Sequence, residues 1–256
     1  MTTIQDPGRT PPKNSRKNTL SLSVLGLGHA ALLVLAAGCV APGAQSASGA
    51  AGALKECGPE GQIDDFEDNN NQNNVIDGRG GYWYTYVDKV GSTVWPEAGE
   101  AGGTFTPSEG GHNSKFAGEV KGKIGTAAIV FGALGMNFVD PKGIFDASKY
   151  EGITFFAKRA ANSTGKVRLK VPDGNTDPEG GVCSECFNDF GMDINLGEQW
   201  TRYTFPFRDM KQMEGWGAPR KAHIDSSKLY GLQWQTQVQG ADYDFSVDSV
   251  AFICKG

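Results

Sequence analysis

The feature that most constrains the fold is an alternation between apolar side chains and polar or aromatic ones in three short segments, 153–158, 167–171 and 232–238. A period of two is typical of β-strands, whose successive side chains point to opposite faces of a sheet. We therefore expect one side of each strand to face the core. The expected core sets are Ile153, Phe155 and Ala157; Val167, Leu169 and Val171; and Leu232, Trp234, Thr236 and Val238.

The remaining sequence beyond residue 55 also favours β-structure. Further strand-like runs lie at 63–66, 127–138, 201–207 and 244–253. The 36 glycines and 12 prolines indicate frequent turns, and no long stretch has the apolar spacing of an amphipathic helix. The sequence therefore predicts one all-β domain over 56–256, an antiparallel two-sheet β-sandwich.

The N-terminal region has the order of a secretory signal. Basic residues precede an apolar run over 20–37 that carries no charge. The run ends in Leu35-Ala36-Ala37-Gly38-Cys39, which resembles the lipobox of bacterial lipoproteins. We expect a signal peptide over 1–38, a lipid on Cys39 and a flexible tether over 39–55, rich in Ala, Gly and Ser. A retained membrane anchor, disfavoured by the run's modest length, and an ordinary export signal are the alternatives.

Charge and the residue after Cys39 bear on location and partners. Val40 is not the Asp that signals inner-membrane retention, so we expect an outer-membrane or cell-surface protein attached through its lipid alone. With 24 basic and 29 acidic side chains, and no basic stripe among the aromatic residues, nucleic acid is an unsuitable partner. We expect a monomer.

Six motifs follow one another along the predicted domain. They are IDDFED at 63–68, YWY at 82–84, YEGITFFAK at 150–158, WTRYTFPF at 200–207, LYGLQW at 229–234 and FSVDSV at 245–250. This ordered set resembles the family 11 carbohydrate-binding modules, which are galactose-binding-like jelly-roll sandwiches. The resemblance implies a concave sheet that binds an extended sugar chain, and a structural calcium ion between the first and last strands.

Sugar binding needs flat rings for the apolar face of a pyranose, and polar groups for its hydroxyls. Large rings usually pack inside, so Trp200, Trp234 and at least one ring of 82–86 are expected in the core. For Arg168 the alternative is a plain cross-strand ion pair. The candidate contacts are Arg168, Lys170, Gln233, Gln235, Phe156, Tyr82, Trp83, Tyr84, Trp216, Asn188 and Asp189.

The calcium ion implied by the resemblance is assigned to Asp65, Glu67 and Asp248, because hard cations prefer oxygen ligands. A second acidic segment, 173–179, has the alternate oxygen spacing of a calcium loop. It departs from the EF-hand pattern at Pro178 and Ser184, so we interpret it as a turn at the lip of the cleft.

Four cysteines remain after Cys39, and an exported chain is expected to hold them oxidised. Because the two ends of a jelly roll are neighbours, the resemblance favours Cys57 with Cys254, which leaves Cys183 with Cys186. Half a zinc site or a redox pair is the alternative for Cys183 and Cys186. No second CxxC motif and no βαβ pattern accompanies them.

The predicted function is non-catalytic binding of a polysaccharide, with β-glucan as the expected class. Two alternatives remain open. One is a structural surface lipoprotein that contacts a protein partner, because a fold does not fix a function. The other is a glycoside hydrolase, which needs only two suitably spaced carboxylates. The sequence has no GxSxG, HExxH or P-loop motif, and enzyme activity is the less favoured class.

Overall fold

The computed structural model describes residues 55–99 and 103–256. Within them the chain forms almost only β-strands: β1 (Lys55–Glu56), β2 (Gln62–Asp64), β3 (Trp83–Val87), β4 (Thr93–Trp95), β5 (Ser108–Glu109), β6 (Phe116–Lys123), β7 (Gly132–Asn137), β8 (Tyr150–Arg159), β9 (Lys166–Val171), β10 (Phe190–Asn195), β11 (Thr201–Pro206), β12 (Gly231–Thr236) and β13 (Asp242–Cys254). A four-residue helix, α1 (Gly58–Gly61), and two 3-10 turns, Pro178–Gly180 and Phe207–Asp209, complete the described secondary structure.

The strands form two antiparallel sheets. An eight-stranded sheet has the order β11-β8-β13-β6-β4, with β1 and β2 paired to β13 and β5 paired to β6. A five-stranded sheet has the order β10-β9-β12-β7-β3. Most neighbours in the sheets are not consecutive in the chain, as in a jelly roll, although β9 pairs with β10 and β5 with β6. The predicted all-β sandwich is confirmed.

The core lies between the sheets and contains the sets that alternation predicts. Ile153, Phe155 and Ala157 are fully buried on β8, and the sets on β9 and β12 are likewise buried. Val238 is the exception, because β12 ends at Thr236 and leaves it half-buried beyond the strand. One face of each strand is therefore apolar because it packs against the other sheet.

Trp83 is among the expected sugar contacts, and this expectation is wrong. Its ring is fully buried and stacks on Trp234 at 5.8 Å between centroids. Its indole Nε1 donates to Asp64 Oδ2 at 2.6 Å, and the backbone N of Phe66 donates to Asp64 Oδ1 at 2.7 Å. Because Asp64 belongs to one sheet and Trp83 to the other, this hydrogen bond joins the two sheets inside the core. The prediction for Trp234, also fully buried, is confirmed.

Both predicted disulfides are present. Cys57 is bonded to Cys254, which links β13 to the turn after β1 across 197 residues of chain. Cys183 is bonded to Cys186, four residues before β10. The pairing implied by the jelly-roll resemblance is thus confirmed, because the ends of the domain meet along β13.

Cys39, the predicted signal peptide and nearly all of the predicted tether lie outside the described residues. Among the residues that are described, no helix is long and apolar enough to cross a membrane.

Candidate functional site

Two rows of outward side chains cross the five-stranded sheet, because the register of its strands is continuous from β3 to β10. The first row is Tyr84, Gly135, Gln233, Lys170 and Gly191, and the second is Tyr86, Ala133, Gln235, Arg168 and Asp193. We call the surface formed by these two rows the polar face. It brings together Arg168, Lys170, Gln233, Gln235 and Tyr84, five of the candidates from the sequence.

The tyrosine rings of the polar face lie over the small residues of β7. A Cβ atom built on Gly135 would lie 2.8 Å from Cε2 and Cζ of Tyr84. The ring therefore occupies the space that any larger residue at 135 would fill. Tyr86 lies beside it, with 6.0 Å between the ring centroids. The result is a pair of adjoining, partly exposed rings that are supported from below by the sheet.

Hydrogen bonds connect these rings to the glutamines of β12. The Tyr86 hydroxyl donates to Gln233 Oε1 at 2.8 Å and also lies 3.0 Å from Gln235 Oε1. Gln233 Nε2 in turn donates to the Tyr84 hydroxyl at 3.5 Å. Planar amides are thereby held next to flat rings. This is the combination of groups that a sugar ring and its hydroxyls require.

Lys170 links this network to a buried carboxylate. Its Nζ donates to Gln235 Oε1 at 3.4 Å and lies 3.0 Å from Asp189 Oδ2. The side chain of Asp189 is only 2 % exposed, and its Oδ1 accepts no hydrogen bond within the described part of the chain. A buried acceptor normally has a donor. Asp189 Oδ1 is thus a buried acceptor without a donor among the described residues, next to the ion pair with Lys170.

Arg168 forms a cross-strand ion pair, which is the alternative to sugar contact that the sequence left open for it. Its guanidinium lies 2.9 Å from Asp193 Oδ1 on β10 and also donates to the backbone oxygen of Lys211. The Arg168 side chain is 14 % exposed and that of Asp193 is 84 % exposed. The pair therefore fixes the guanidinium at the β10 end of the polar face while its carboxylate partner stays in solvent.

The phenols of the polar face remain neutral donors. Burial raises the pKa of Tyr84 to about 12, with smaller effects from Gln233, Asp177 and Asp189. Burial also raises the pKa of Tyr86 well above its usual value. Neither hydroxyl ionises near neutral pH, so the ring pair carries no charge that would repel or attract an ion.

Phe156 is expected on the same surface as Arg168, and this expectation is wrong. The strands β8 and β9 belong to different sheets, so their outward side chains lie on opposite sides of the sandwich. Phe156 instead stacks on His112, with 3.7 Å between ring centroids. Trp200, expected in the core, is half-buried on this same side, below the Lys158 ammonium at 4.8 Å. We call this outward surface of the eight-stranded sheet the opposite face.

The opposite face also carries a cavity of about 330 Å³. Charged side chains, including Glu119, Lys158 and Asp244, line it, and none of its described lining residues is aromatic. Burial is the first cause that raises the pKa of Asp244, and the nearby Glu119 raises it further. The cavity itself therefore offers no ring to the apolar face of a sugar. The polar face combines adjoining rings with hydrogen-bonded amides, and it is the better candidate site.

Asn188 and Trp216 belong to one loop assembly beyond β10. The Asn188 amide is buried and donates to the backbone oxygens of Met213 at 2.9 Å and Trp216 at 2.6 Å. It therefore holds a loop in place and is not exposed to a ligand. Trp216 itself is 42 % exposed. Tyr82, half-buried, precedes β3 on the same side of the strand as Tyr84.

The carboxylates assigned to calcium each hold backbone amides. Glu67 Oε1 accepts from Phe116 N at 2.7 Å, and Asp248 Oδ2 accepts from His112 N at 2.6 Å. Asp65 Oδ1 accepts from Glu67 N at 3.2 Å. Among the described residues, no group of three or more metal-ligating side chains converges. The three residues as placed do not fit a shared calcium site, and a lower melting temperature in chelator is the test left for that prediction.

The acidic segment 173–179 acts as a turn, in line with its sequence interpretation. The Asp173 carboxylate is fully buried and accepts from Asn175 N at 3.0 Å and Asp225 N at 2.8 Å. Asp177 Oδ2 pairs with the Lys142 ammonium at 2.7 Å. These oxygens stabilise loop backbone at the end of the five-stranded sheet.

Sequence reasoning missed Tyr86 and Gly135. The spacing of Tyr84 and Tyr86 around Thr85, which is buried, was a usable signal for two outward rings on one strand. Nothing in the sequence marked Gly135, because its importance comes from a ring on a neighbouring strand.

No family model matches this sequence, and no curated protein matches it.

Solved structures do match. A family 11 carbohydrate-binding module from Clostridium thermocellum, in complex with a beta-1,3-1,4-mixed-linked tetrasaccharide, has a TM-score of 0.51 at 16 % identity, over 76 % of this chain and 95 % of that one. The family 11 module of a cellulosomal cellulase from the same organism has a TM-score of 0.50 at 18 % identity, over 79 % and 96 %. At such identities the likeness concerns the fold. The chain therefore has the jelly-roll β-sandwich fold of the family 11 carbohydrate-binding modules.

Proposed function

We propose that this chain binds a neutral polysaccharide through the polar face and does not hydrolyse it. The observation that carries the proposal is the ring pair Tyr84 and Tyr86, supported by Gly135 and Ala133 and bordered by hydrogen-bonded glutamines. The rings offer an apolar surface to a sugar, and the glutamine amides offer donors and acceptors to its hydroxyls.

The charges of the polar face support a neutral ligand. Lys170 is paired with Asp189, and Arg168 is paired with Asp193. Both cations are thus balanced within the protein, so an anionic ligand would have to displace a carboxylate. Among neutral polymers we propose β-glucan, and one structural neighbour is in complex with a beta-1,3-1,4-mixed-linked tetrasaccharide.

The test compares one variant on each side of the sandwich. Tyr84→Ala removes a ring of the polar face, and Phe156→Ala removes a ring of the opposite face. We expect Tyr84→Ala to weaken binding of the full chain to mixed-linked β-1,3-1,4-glucan by about tenfold, since a stacking contact is worth about 1.4 kcal/mol. Phe156→Ala should bind like the wild type in titration calorimetry.

Three results would contradict the proposal. Equal losses in the two variants would mean that the polar face is not the site. Failure of the wild type to bind any member of a polysaccharide panel would favour the protein-contacting alternative. Release of reducing sugar from a bound polysaccharide would show a hydrolase.

We also propose that the chain is exported and anchored to the outer membrane or cell surface through a lipid on Cys39. The support is the charged segment, the apolar run and the small residues before that cysteine. Cys39→Ser should move the protein from the membrane fraction to the soluble fraction. A variant that stays with the membrane would overturn the lipid anchor.

A further inference from the structure

Two loops beyond the β10 edge display large apolar side chains. Phe187 is 58 % exposed and Trp216 is 42 % exposed, and both are among the largest exposed apolar residues of the described chain. Contiguous exposed apolar surface marks interaction sites in soluble proteins. We call this pair the loop platform.

The loops that carry the platform are held by several independent links. Glu185 and Ala218 form a β-bridge that pairs the two loops. The disulfide between Cys183 and Cys186 closes the turn directly before Phe187. These contacts give the exposed rings a defined position, as a binding surface needs.

Asn188 is the central residue of this frame. Besides its two bonds to backbone oxygens in the 213–216 loop, its Oδ1 accepts from Met213 N at 2.9 Å. Gln212 Nε2 donates to the Asn188 backbone oxygen at 2.9 Å. The side-chain amide of Asn188 is buried, and its hydrogen bonds therefore support the loop that exposes Trp216.

The backbone at Phe187 also departs from the usual preference. Its φ is +72°, a left-handed conformation that bulky residues rarely adopt. Such strained conformations cluster at ligand clamps and other functional positions. The ring of Phe187 nonetheless lies largely in solvent.

The platform is continuous with the polar face. Phe187 lies two residues before Asp189, whose carboxylate contacts Lys170, so their Cα atoms are separated by no more than about 7.6 Å. The backbone oxygen of Trp216 accepts a hydrogen bond from Asn188, which lies between Phe187 and Asp189 in the sequence. The loops that carry both rings therefore adjoin the β10 edge of the polar face.

We propose that Phe187 and Trp216 form an additional sugar-binding subsite, which makes this protein selective for long polysaccharide chains over short oligosaccharides. The inference rests on the proposed function, because the platform extends the polar face. Flat apolar rings suit the apolar face of a neutral pyranose, and the nearby Glu185 carboxylate already accepts from Gly217 N at 3.1 Å.

The experiment measures affinity against chain length. The full chain is titrated with mixed-linked β-1,3-1,4-gluco-oligosaccharides from the tetrasaccharide to the octasaccharide. We expect the double variant Phe187→Ala with Trp216→Ala to bind the octasaccharide about tenfold more weakly than the wild type. Its affinity for the tetrasaccharide should stay within about twofold of the wild type. The matched control is Trp95→Ala, which removes a ring that is 45 % exposed on β4 of the other sheet and should change neither affinity.

Each other outcome overturns the subsite. An equal loss at every length would place the rings in the main site, while wild-type affinity that does not depend on length would leave the proposed function intact without a platform. Unchanged glycan affinity together with lost self-association of the double variant would assign the rings to a contact between copies of this chain. If the wild type bound no oligosaccharide, the proposed function and the subsite would both fail.

Discussion

The two outward faces of the sandwich are built from the same alternation, yet they differ in how their side chains are used. On the polar face, Lys170 is 11 % exposed and hydrogen-bonds to Gln235 and Asp189 in a connected network. On the opposite face, Lys158 lies over Trp200, and Arg159 pairs with the half-exposed Glu198 as separate contacts. Outward-pointing residues form a candidate site only where the structure connects and shields them.

The two disulfides sharpen this comparison, because one lies on the eight-stranded sheet and the other beside the polar face. Replacing Cys57 and Cys254 by Ser should lower the free energy of unfolding by about 5 kcal/mol, since the bond closes a very long loop. Replacing Cys183 and Cys186, which close a short loop, should cost about 2 kcal/mol.

Urea unfolding of both double variants measures these costs. We expect polysaccharide affinity to be unchanged in folded Cys57→Ser/Cys254→Ser protein. A larger stability loss from the short loop than from the long one would contradict the prediction.

Asp64 lies between the two faces, and its burial raises its pKa from 3.8 to about 7. Between these values the folded state holds a proton that the unfolded state has released, so stability falls as pH rises from about 4 to about 7 and is then constant. The shift corresponds to a loss of about 4 kcal/mol.

Comparison of urea unfolding at acidic and slightly alkaline pH tests this effect. The Asp64→Asn variant has no ionisable group at this position. Its free energy of unfolding should therefore fall less than that of the wild type when the pH is raised. Parallel pH profiles for the wild type and this variant would show that Asp64 does not titrate in this window.

Two lysines provide a direct test of connected against separate contacts. Lys170→Met leaves the buried Asp189 carboxylate without its cation and should lower stability by about 3 kcal/mol. Lys158→Met removes a half-exposed cation–π contact and should cost about 0.5–1 kcal/mol. Thermal and urea unfolding measure both. Equal costs would mean that the network on the polar face is no more coupled than the contacts on the opposite face.

The smallest expected effect on stability concerns Gly135, which lies beneath the ring of Tyr84. Gly135→Ala forces the ring to move, because the added Cβ would lie 2.8 Å from it. The contact is with the far end of a side chain, so we expect a small change in stability and an approximately tenfold loss of glucan affinity. Gly197→Ala, where a Cβ meets almost nothing, is the control. Unchanged affinity in Gly135→Ala would remove Tyr84 from the site.

Much of the fold was predictable because local patterns report burial. The alternation on β8, β9 and β12 is enough to identify the core residues of these strands, since a two-residue period has only one apolar side. The same pattern correctly placed Arg168 and Lys170 outward. The pattern failed for Phe156. Alternation indicates that a side chain points away from the core, but it does not indicate which of the two sheets contains the strand.

The sequence also did not determine which of several adjacent aromatic residues points outward. Tyr82, Trp83 and Tyr84 are consecutive, and the sequence offered all three as contacts. The indole of Trp83 packs inside because β3 pairs with β7 in a register that turns Tyr84 over Gly135. Register depends on partners that are distant in sequence, and so it is visible only in the folded chain.

The sequence by itself determined the class of fold, the core faces of three strands and the chemical types available for sugar binding, because these follow from local periodicity and composition. Only the tertiary structure decided which polar residues share a face, which rings are supported on small residues and which carboxylates hold backbone amides. The physical reason is that a candidate site is made by strand order and register between residues as far apart as Tyr86 and Gln235, whose side chains are hydrogen-bonded across 149 positions of sequence.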